Sequence, residues 1–420
     1  MFAGDERTRT VADLTGGGTR SWAGGRRFEG SLRVRRYEQD WTRTLLLAPS
    51  FGNTQRQADR NSSAWGRAQV SAPLGPTDVH VGLEGEVAGY RTRYRDPGDG
   101  SPLGDGEGRR LKLAVHGGIT RELGARLKLH AGVRYDQVRP EDTSPSGSAA
   151  SFSQWSPRLA LNVAFTRNPS AVGNLFLTWT RAFKAPTLDQ LYDVRSIPTG
   201  EPGQEVGFSN ALLKPQRSSA VELGVYQRLP LGAPARFAEI SATVYRQWLD
   251  DEIDFDLRTF KYGNIQRSMH TGVEASLRAV LSPGLELVHS TTLTRATFRS
   301  SELAGNQLKN IPRTSFVTSA HLNLPGTLGL ALTHRVTGAV FLDDENTSRL
   351  GGSGLVDAAL TWRRGALEAT VSARNLFDVR FDAFGYLLYD PFQQADVRMA
   401  HPGGGRGLSL KLTVHEGGPR

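Results

Sequence analysis

The chain has 420 residues, 51 of them basic and 42 acidic, and its net charge of +9 is spread along the sequence and not gathered into a tail. That dispersal reads as wall and loop chemistry and argues against a nucleic-acid partner. No cysteine is present, which excludes disulfides, thiolate zinc sites and cysteine nucleophiles. Apolar residues make up 38%, and the 47 glycines bring the chain near the globular average, with no run approaching the ~20 apolar residues of a membrane helix.

The start, Met1 to Arg7, lacks the ordered basic, apolar and small-residue regions of a secretory signal. From there, short and long connections alternate. Tight turns are expected at 23–26, 73–76, 122–124, 167–170, 231–234, 282–284, 324–327 and 363–365, where residues that bend the chain or tolerate positive φ concentrate. Long polar connections are expected at roughly 48–62, 95–108, 137–153, 184–217, 252–266, 299–312, 342–353 and 379–404. The segments between them run for about ten residues with apolar side chains at every second position, the period of a strand.

One rim is therefore trimmed and the other ornate, the asymmetry of an outer-membrane barrel with short periplasmic turns and long extracellular loops. The fold class expected is all-β, an antiparallel up-and-down transmembrane β-barrel. Its faces are readable residue by residue. Leu127, Leu129, Ala131, Val133 and Tyr135 share one face, opposite Arg126, Lys128, His130 and Arg134. Leu159, Leu161, Val163 and Phe165 oppose Arg158 and Asn162 in the same way, as do Leu408, Leu410, Leu412 and Val414 with respect to Ser409, Lys411 and Thr413. A soluble sandwich shows the same alternation, so the aromatic placement matters. Trp155 and Phe165 lie on one face ten positions apart, and at ~3.3 Å per residue and a tilt near 40° they stand roughly 25 Å apart along the barrel axis, the height of the lipid-facing band. Leu127, Leu129, Val133, Leu159, Leu161 and Leu410 are expected to face lipid, and Lys128, Arg158, Asn162 and Lys411 the lumen.

About seventeen strands result, and an odd number does not close as an antiparallel barrel. The expected sheet is open or strained where the segment near 12–22 meets the strand at 405–414.

Several motifs then follow in order. Arg181-Ala182-Phe183-Lys184-Ala185-Pro186-Thr187-Leu188-Asp189-Gln190-Leu191-Tyr192 leads from a strand into a loop. Leu213-Lys214-Pro215-Gln216 precedes Val221-Glu222-Leu223-Gly224, and Gly272-Val273-Glu274, Ile311-Pro312-Arg313, Asn375-Leu376-Phe377-Asp378 and Pro402-Gly403-Gly404-Gly405-Arg406 come after it. Together, across residues 181–414, they resemble the TonB-dependent outer-membrane receptors. Members of that family have a 22-stranded barrel filled by a plug. The resemblance implies that residues 1–420 form the C-terminal barrel portion, about 16–18 of the 22 strands, without the plug or the TonB-contacting segment. Family barrels usually close on a terminal aromatic, whereas this chain runs past Val414 to Arg420.

No Gly-x-Ser-x-Gly elbow, phosphate loop or His-Glu-x-x-His is present, so neither an enzyme nor a resident cofactor is expected. Acidic residues gather at Asp250, Asp251, Glu252, Asp254 and Asp256, at Asp343, Asp344 and Glu345, and at Asp96, Asp99, Asp105 and Glu107. None has the EF-hand spacing, and solvated acidic loops account for them better than calcium sites. A large polar ligand is gripped by aromatic faces and a few charges, which selects Tyr192, Arg195, Trp248, Tyr262, Phe341, Tyr386 and Tyr389 on the ornate rim. Membrane-interface anchoring is the competing role, above all for Trp248 and Phe341.

The resemblance implies ligand uptake across a bacterial outer membrane. The cargo would be an iron-siderophore or a cobalamin-like corrinoid complex. The expected partners are outer-membrane lipid and, in the full-length protein, the TonB complex. A passive or structural barrel, including a non-transporting remnant, is the alternative, and a soluble lectin-like sandwich a more distant one.

Overall fold

A computed structural model describes residues 2–48, 51–144, 147–167, 171–194, 196–198, 205–256, 259, 261–390 and 394–415. The wall begins with β1 (Phe2–Ser21), β2 (Arg27–Ala48), β3 (Phe51–Leu74), β4 (Thr77–Arg95), β5 (Pro102–Leu123), β6 (Leu127–Asp142), β7 (Phe152–Arg167) and β8 (Val172–Lys184). A helix α1 (Leu188–Tyr192) and a small hairpin of β9 (Ser196–Pro198) and β10 (Glu205–Gly207) interrupt it. The wall resumes with β11 (Gln216–Pro230), β12 (Phe237–Asp256), β13 (Lys261–Ser282), β14 (Leu285–Phe298), β15 (Thr314–Leu324) and β16 (Leu328–Thr337). After the hairpin of β17 (Val340–Phe341) and β18 (Arg349–Leu350) come β19 (Ser353–Arg364) and β20 (Leu367–Arg374), then the hairpin of β21 (Asp382–Asp390) and β22 (Ala395–Pro402), and finally β23 (Gly407–Val414).

Every wall strand pairs antiparallel with the wall strands before and after it, giving one 17-stranded meander. The expected short turns sit between these strands. Gly75, Gly124, Gly326 and Gly365 turn the chain with φ of +63°, +69°, +77° and +60°, in the left-handed region where a Cβ is strained. Residues 168–170 of the turn at 167–170 lie outside the described residues.

Register confirms the two faces. Leu127 lies opposite Val163, Leu129 opposite Leu161 and Val133 opposite Pro157, while Lys128 meets Asn162 and Arg158 meets Gly132. Leu410 pairs with Val371 and Lys411 with Thr370. Partners across a ladder point to the same side, so the lipid-facing set and the lumen-facing set fall on opposite faces as expected. Leu83, Leu113, Leu159 and Leu410 are among many large apolar side chains left exposed on the outward face, the surface a bilayer covers. Inside, charges satisfy one another along the ladders. Arg134 donates to Glu84 at 2.9 Å and to Asp136 at 2.8 Å, and Arg110 pairs with Glu86.

The wall is open. Among the described residues β1 pairs only with β2 and β23 only with β20. Each step of a meander reverses direction, so the first and the seventeenth wall strands run the same way and do not close antiparallel. Leu408 and Leu412 on the last strand are 74% and 73% exposed.

Several long connections are shorter than expected because the strands continue into them. The expected loop at 48–62 is mostly strand, since β3 starts at Phe51 and runs for 24 residues. At 95–108 the strand resumes at Pro102, and at 252–266 β12 extends to Asp256 before β13 begins at Lys261. A 24-residue strand rises roughly 60 Å at ~3.3 Å per residue and a tilt near 40°, over twice the ~25 Å lipid band. Above that band both faces are wet, so Arg56, Asp59 and Arg60 lose the apolar alternation that marks a strand, although the ladder continues through Arg56↔Arg95, Asp59↔Thr92 and Arg60↔Arg91.

A lumenal vestibule beneath a folded-in loop

The loop after β8 turns inward over the lumen. Gln190 Oε1 accepts from the Thr187 amide at 3.0 Å, fixing the entry to α1, whose Leu188, Leu191 and Tyr192 are buried with Leu213. This short helix rests on β5 because Gly104, Gly106 and Gly108 leave the inner face of that strand bare. A Cβ on Gly104 would stand 3.1 Å from Val194 Cγ2, one on Gly106 3.4 Å from the Tyr192 carbonyl, and one on Gly108 3.4 Å from Leu188 Cδ2. Alternate glycines on one strand face thus make a smooth track for a loop to approach. The Tyr94 hydroxyl donates to Asp193 at 3.1 Å and ties the far end of the loop to β4.

Between α1 and the inner faces of β2 to β5 lies a cavity of about 590 Å³, lined by Tyr37, Trp41, Gln57, Asp59, Tyr90 and Arg110 on the wall and by Leu188, Asp189 and Asp193 on the loop. Gln57 is 6% exposed. Its Nε2 donates to Asp59 Oδ1 at 2.7 Å, the Thr92 hydroxyl donates to the same oxygen at 2.7 Å, and Gln57 Oε1 has no protein partner among the described residues. A buried acceptor without a donor is a costly arrangement, and a ligand that supplies the donor relieves it. Arg7 stacks on Trp41 at 5.6 Å and Arg9 on Tyr37 at 5.2 Å, leaving aromatic surface backed by positive charge. The arrangement suits binding a large polar ligand by stacking and hydrogen bonds, with no group placed for covalent chemistry.

The residues selected from sequence divide into several places. Tyr192 and Tyr262 come together around the α1 cluster. Tyr192 is buried, its hydroxyl donates to the Pro140 carbonyl at 3.4 Å, and burial lifts its phenol above the ordinary value despite the hydrogen bond from Ser148; it is a brace for the loop. Tyr262 stacks edge-on with Phe255 at 4.9 Å, and its backbone is fastened to the loop through Asn210 and Phe208. Trp248 sits on the outward face, 42% exposed, with Arg246 stacked at 5.9 Å, because it shares the parity of Ile240 and Val244. That is the membrane-interface position, away from the vestibule. Phe341 lies in the β17–β18 hairpin beneath Arg349 at 5.0 Å. Tyr386 is 6% exposed, packed against Phe384 and His401, and its hydroxyl has no partner among the described residues. Tyr389 lies on β21 opposite Asp396, and Arg195 lies outside the described residues.

The vestibule residues Tyr37, Trp41, Gln57 and Tyr90 were not selected from sequence. Their signal was parity: Arg33, Arg35, Tyr37, Gln39 and Trp41 alternate along β2 on the charged, inward face. Among the described residues no group of His, Cys, Asp and Glu is arranged to hold a metal. The acidic clusters serve as loop fasteners. Asp254 and Asp344 both hold Lys309, and Asp343 accepts from the amides of Thr347 and Ser348 at 2.9 Å each. Asp96 and Asp99 accept backbone amides of their own turn.

Residues 2–376 match the family model described as TonB dependent receptor-like, beta-barrel. This chain belongs to that family. TonB-dependent receptor barrels are outer-membrane proteins and act as receptors and transporters, not enzymes. Among solved structures, the wall is similar to the ferric-catecholate import receptor Fiu of E. coli K12, with 15% identity, a TM-score of 0.74 and coverage of 98% of this chain and 64% of that one. The ferric yersiniabactin uptake receptor FyuA of Yersinia pestis gives 18%, 0.71, 97% and 61%, and the copper transporter OprC 15%, 0.74, 96% and 65%. The chain thus spans a little under two thirds of the length of each, and at these identities the likeness is one of fold. No curated protein sequence matches it.

Proposed function

We propose that this TonB-dependent receptor barrel takes up a ferric chelate of the siderophore class across the outer membrane, with energy supplied through TonB. The vestibule is the observation that carries this reading. A cavity of about 590 Å³ falls in the range of small-molecule sites, lined by aromatic faces with a few converging polar groups. The names of similar structures point the same way: Fiu and FyuA are described as receptors for ferric catecholate and ferric yersiniabactin, and another neighbour is the ferric citrate transporter FecA. A corrinoid cargo has no such support, so the ferric chelate is the narrower reading. The lumen is the path, the loop carrying α1 is the mouth, and outer-membrane lipid surrounds the apolar band.

Uptake of radiolabelled iron by a receptor-deficient strain expressing the full-length protein tests this. Uptake of one ferric chelate that requires TonB and falls in Tyr90→Ala and Gln57→Leu variants is the expected result. TonB-independent leakage of unrelated small solutes, unaffected by those variants, contradicts it and favours a passive barrel.

A further inference from the structure

Above the lipid band the outward face of β2 to β5 turns from apolar to basic. Ladder partners run Arg36↔Ser62, Ser62↔Gly89 and Gly89↔Arg109, and next above them on the same side Glu38↔Arg60, Arg60↔Arg91 and Arg91↔Glu107. Partners across a ladder share a side. Just below the first row on that side lie Val34, Ala64 and Val87, the two valines 44% and 40% exposed. Arg60, Arg91 and Arg109 each stand about 14 residues from the periplasmic ends of their strands at Leu74, Thr77 and Leu123. At ~3.3 Å per residue and a tilt near 40° that is roughly 35 Å up, about 10 Å above the top of the ~25 Å apolar band. Headgroups occupy this level, since they extend a bilayer to ~40–45 Å.

These side chains enclose a shallow groove. Ser62 and Gly89 make its floor, Arg36, Arg60, Arg91 and Arg109 its walls, and Val34 and Val87 its lower lip. A Cβ on Gly89 would stand 3.3 Å from the Ser62 hydroxyl oxygen, so the floor lies at backbone level. The arginines outnumber the carboxylates beside them. Glu38 is shared, 2.6 Å from Arg36 and 4.0 Å from Arg60, and Glu107 is 2.5 Å from Arg91. Among the described residues Arg109 makes no ion pair, although Glu141 is its ladder partner, and Arg139 adds a further cation on the same side, opposite Leu111. Exposed pairs of this kind hold their partners weakly, which leaves guanidinium donors for another acceptor.

We propose that the groove binds the headgroup of a bisphosphorylated glycolipid in the outer leaflet. Guanidinium forks pair with phosphate oxygens through two parallel hydrogen bonds. Arg36 and Arg109 are three ladder steps apart, roughly 14 Å at ~4.8 Å per strand, a span that one phosphate does not bridge and two phosphates on a disaccharide do. Directly below, Leu32, Val34, Leu83 and Val87 present exposed apolar surface, which receives the acyl chains of the same molecule. An occupant must therefore carry an anionic head and a hydrocarbon tail at once, which neither free phosphate nor a soluble polyanion does. The ornate rim is the extracellular one, so the leaflet beside the arginines is the outer one.

Titration of the purified full-length protein in detergent with a bisphosphorylated, acylated glucosamine disaccharide, read by native mass spectrometry, tests this. The expected result is saturable binding that weakens as salt rises and falls about tenfold in Arg60→Gln with Arg109→Gln, the loss of two charge-assisted contacts. Arg121→Gln, an exposed arginine at the periplasmic end of β5, should bind as the parent does. The dephosphorylated disaccharide lipid and phosphatidylglycerol should bind more weakly, and inorganic phosphate should not compete at equal concentration. Heat-modifiable migration of the same samples shows whether each variant is folded, and Arg109→Gln alone serves if the double variant is not. Equal binding of the dephosphorylated lipid, phosphatidylglycerol binding as tightly, or an affinity unchanged in the folded Arg60→Gln, Arg109→Gln variant overturns the proposal.

Discussion

Asn346 and Gln307 hold two extracellular loops together by a reciprocal pair: the Asn346 side-chain amide donates to the Gln307 carbonyl at 2.8 Å, and the Gln307 amide donates to Asn346 Oδ1 at 2.7 Å. Beside them Lys309, with 14% of its side chain exposed, reaches Asp344 at 3.1 Å and also pairs with Asp254 on β12. Asn306 Nδ2 donates to the Asp344 carbonyl at 3.0 Å and the Asn310 amide to the Phe341 carbonyl at 2.8 Å. The β21–β22 hairpin packs on this assembly through Leu387 against Leu342 and Leu350. The C-terminal half of the ornate rim is therefore a fastened unit.

Lys309 is expected to be the central pin. Lys309→Met leaves two carboxylates facing each other and should loosen the rim by about 1–3 kcal/mol, less than for a wholly buried pair because Asp254 is partly wet. Removing all three charges, with Asp254→Asn and Asp344→Asn added, should restore much of the loss. Hydrogen exchange of residues 299–313 and 340–350 reads both effects.

Acid should release the same rim late. Burial opposes ionisation of Asp343, but the Thr347 hydroxyl and the amides of Ser348 and Thr347 outweigh it and hold the carboxyl below its ordinary 3.8. A depressed folded value means that the contribution is full above 3.8 and fades as the pH falls through the lower folded value. Protease protection of 343–348 should persist to that limit in the parent protein. In Asp343→Asn the acid step should be absent.

The glycine track predicts a separation of folding from binding. Gly106→Val places a branched side chain where Val194 and the Tyr192 carbonyl already stand within 3.4 Å of a bare Cβ. The α1 loop should be displaced and ligand binding should fall, while the wall still migrates as a folded barrel, because β5 keeps both its ladders. An unchanged affinity would show that the loop takes no part in the vestibule.

Charge on the two faces should have opposite consequences. Ile119→Arg, outward, 41% exposed and four residues up β5 from its periplasmic end, should destabilise the barrel in vesicles by about 2–4 kcal/mol, the cost of a cation at the bilayer midplane. Lys112→Leu on the lumenal face, where Lys112 is 3.8 Å from Asp136, should change stability by less than half as much. Urea titration of the two variants compares them.

Much of this wall was legible because a lipid band imposes period-2 alternation: Leu127 to Tyr135 and Leu408 to Val414 announce their faces without help. The short turns were legible through their glycines and prolines. The upper strands were hidden, since outside the bilayer neither face must be apolar, and β3 from Phe51 to Asn61 reads as a polar loop. The vestibule was hidden for the same reason. Tyr37, Trp41 and Tyr90 lie in that upper region, and Gln57 gains its role only from being buried under α1. Trp248 shows the converse case, an aromatic near a loop whose parity turns it outward.

One measurement bears most directly on the account: single cysteines at Gln57, Tyr90 and Leu83, probed in intact outer membranes with a membrane-impermeant maleimide, with and without a ferric chelate. The account predicts that Gln57→Cys and Tyr90→Cys are labelled and become shielded when the chelate is bound, while Leu83→Cys, on the outward face within the lipid band, resists the water-soluble reagent throughout. Labelling of Leu83→Cys with Gln57→Cys and Tyr90→Cys unreactive, or labelling of the two lumenal positions that no ferric chelate shields, would contradict it.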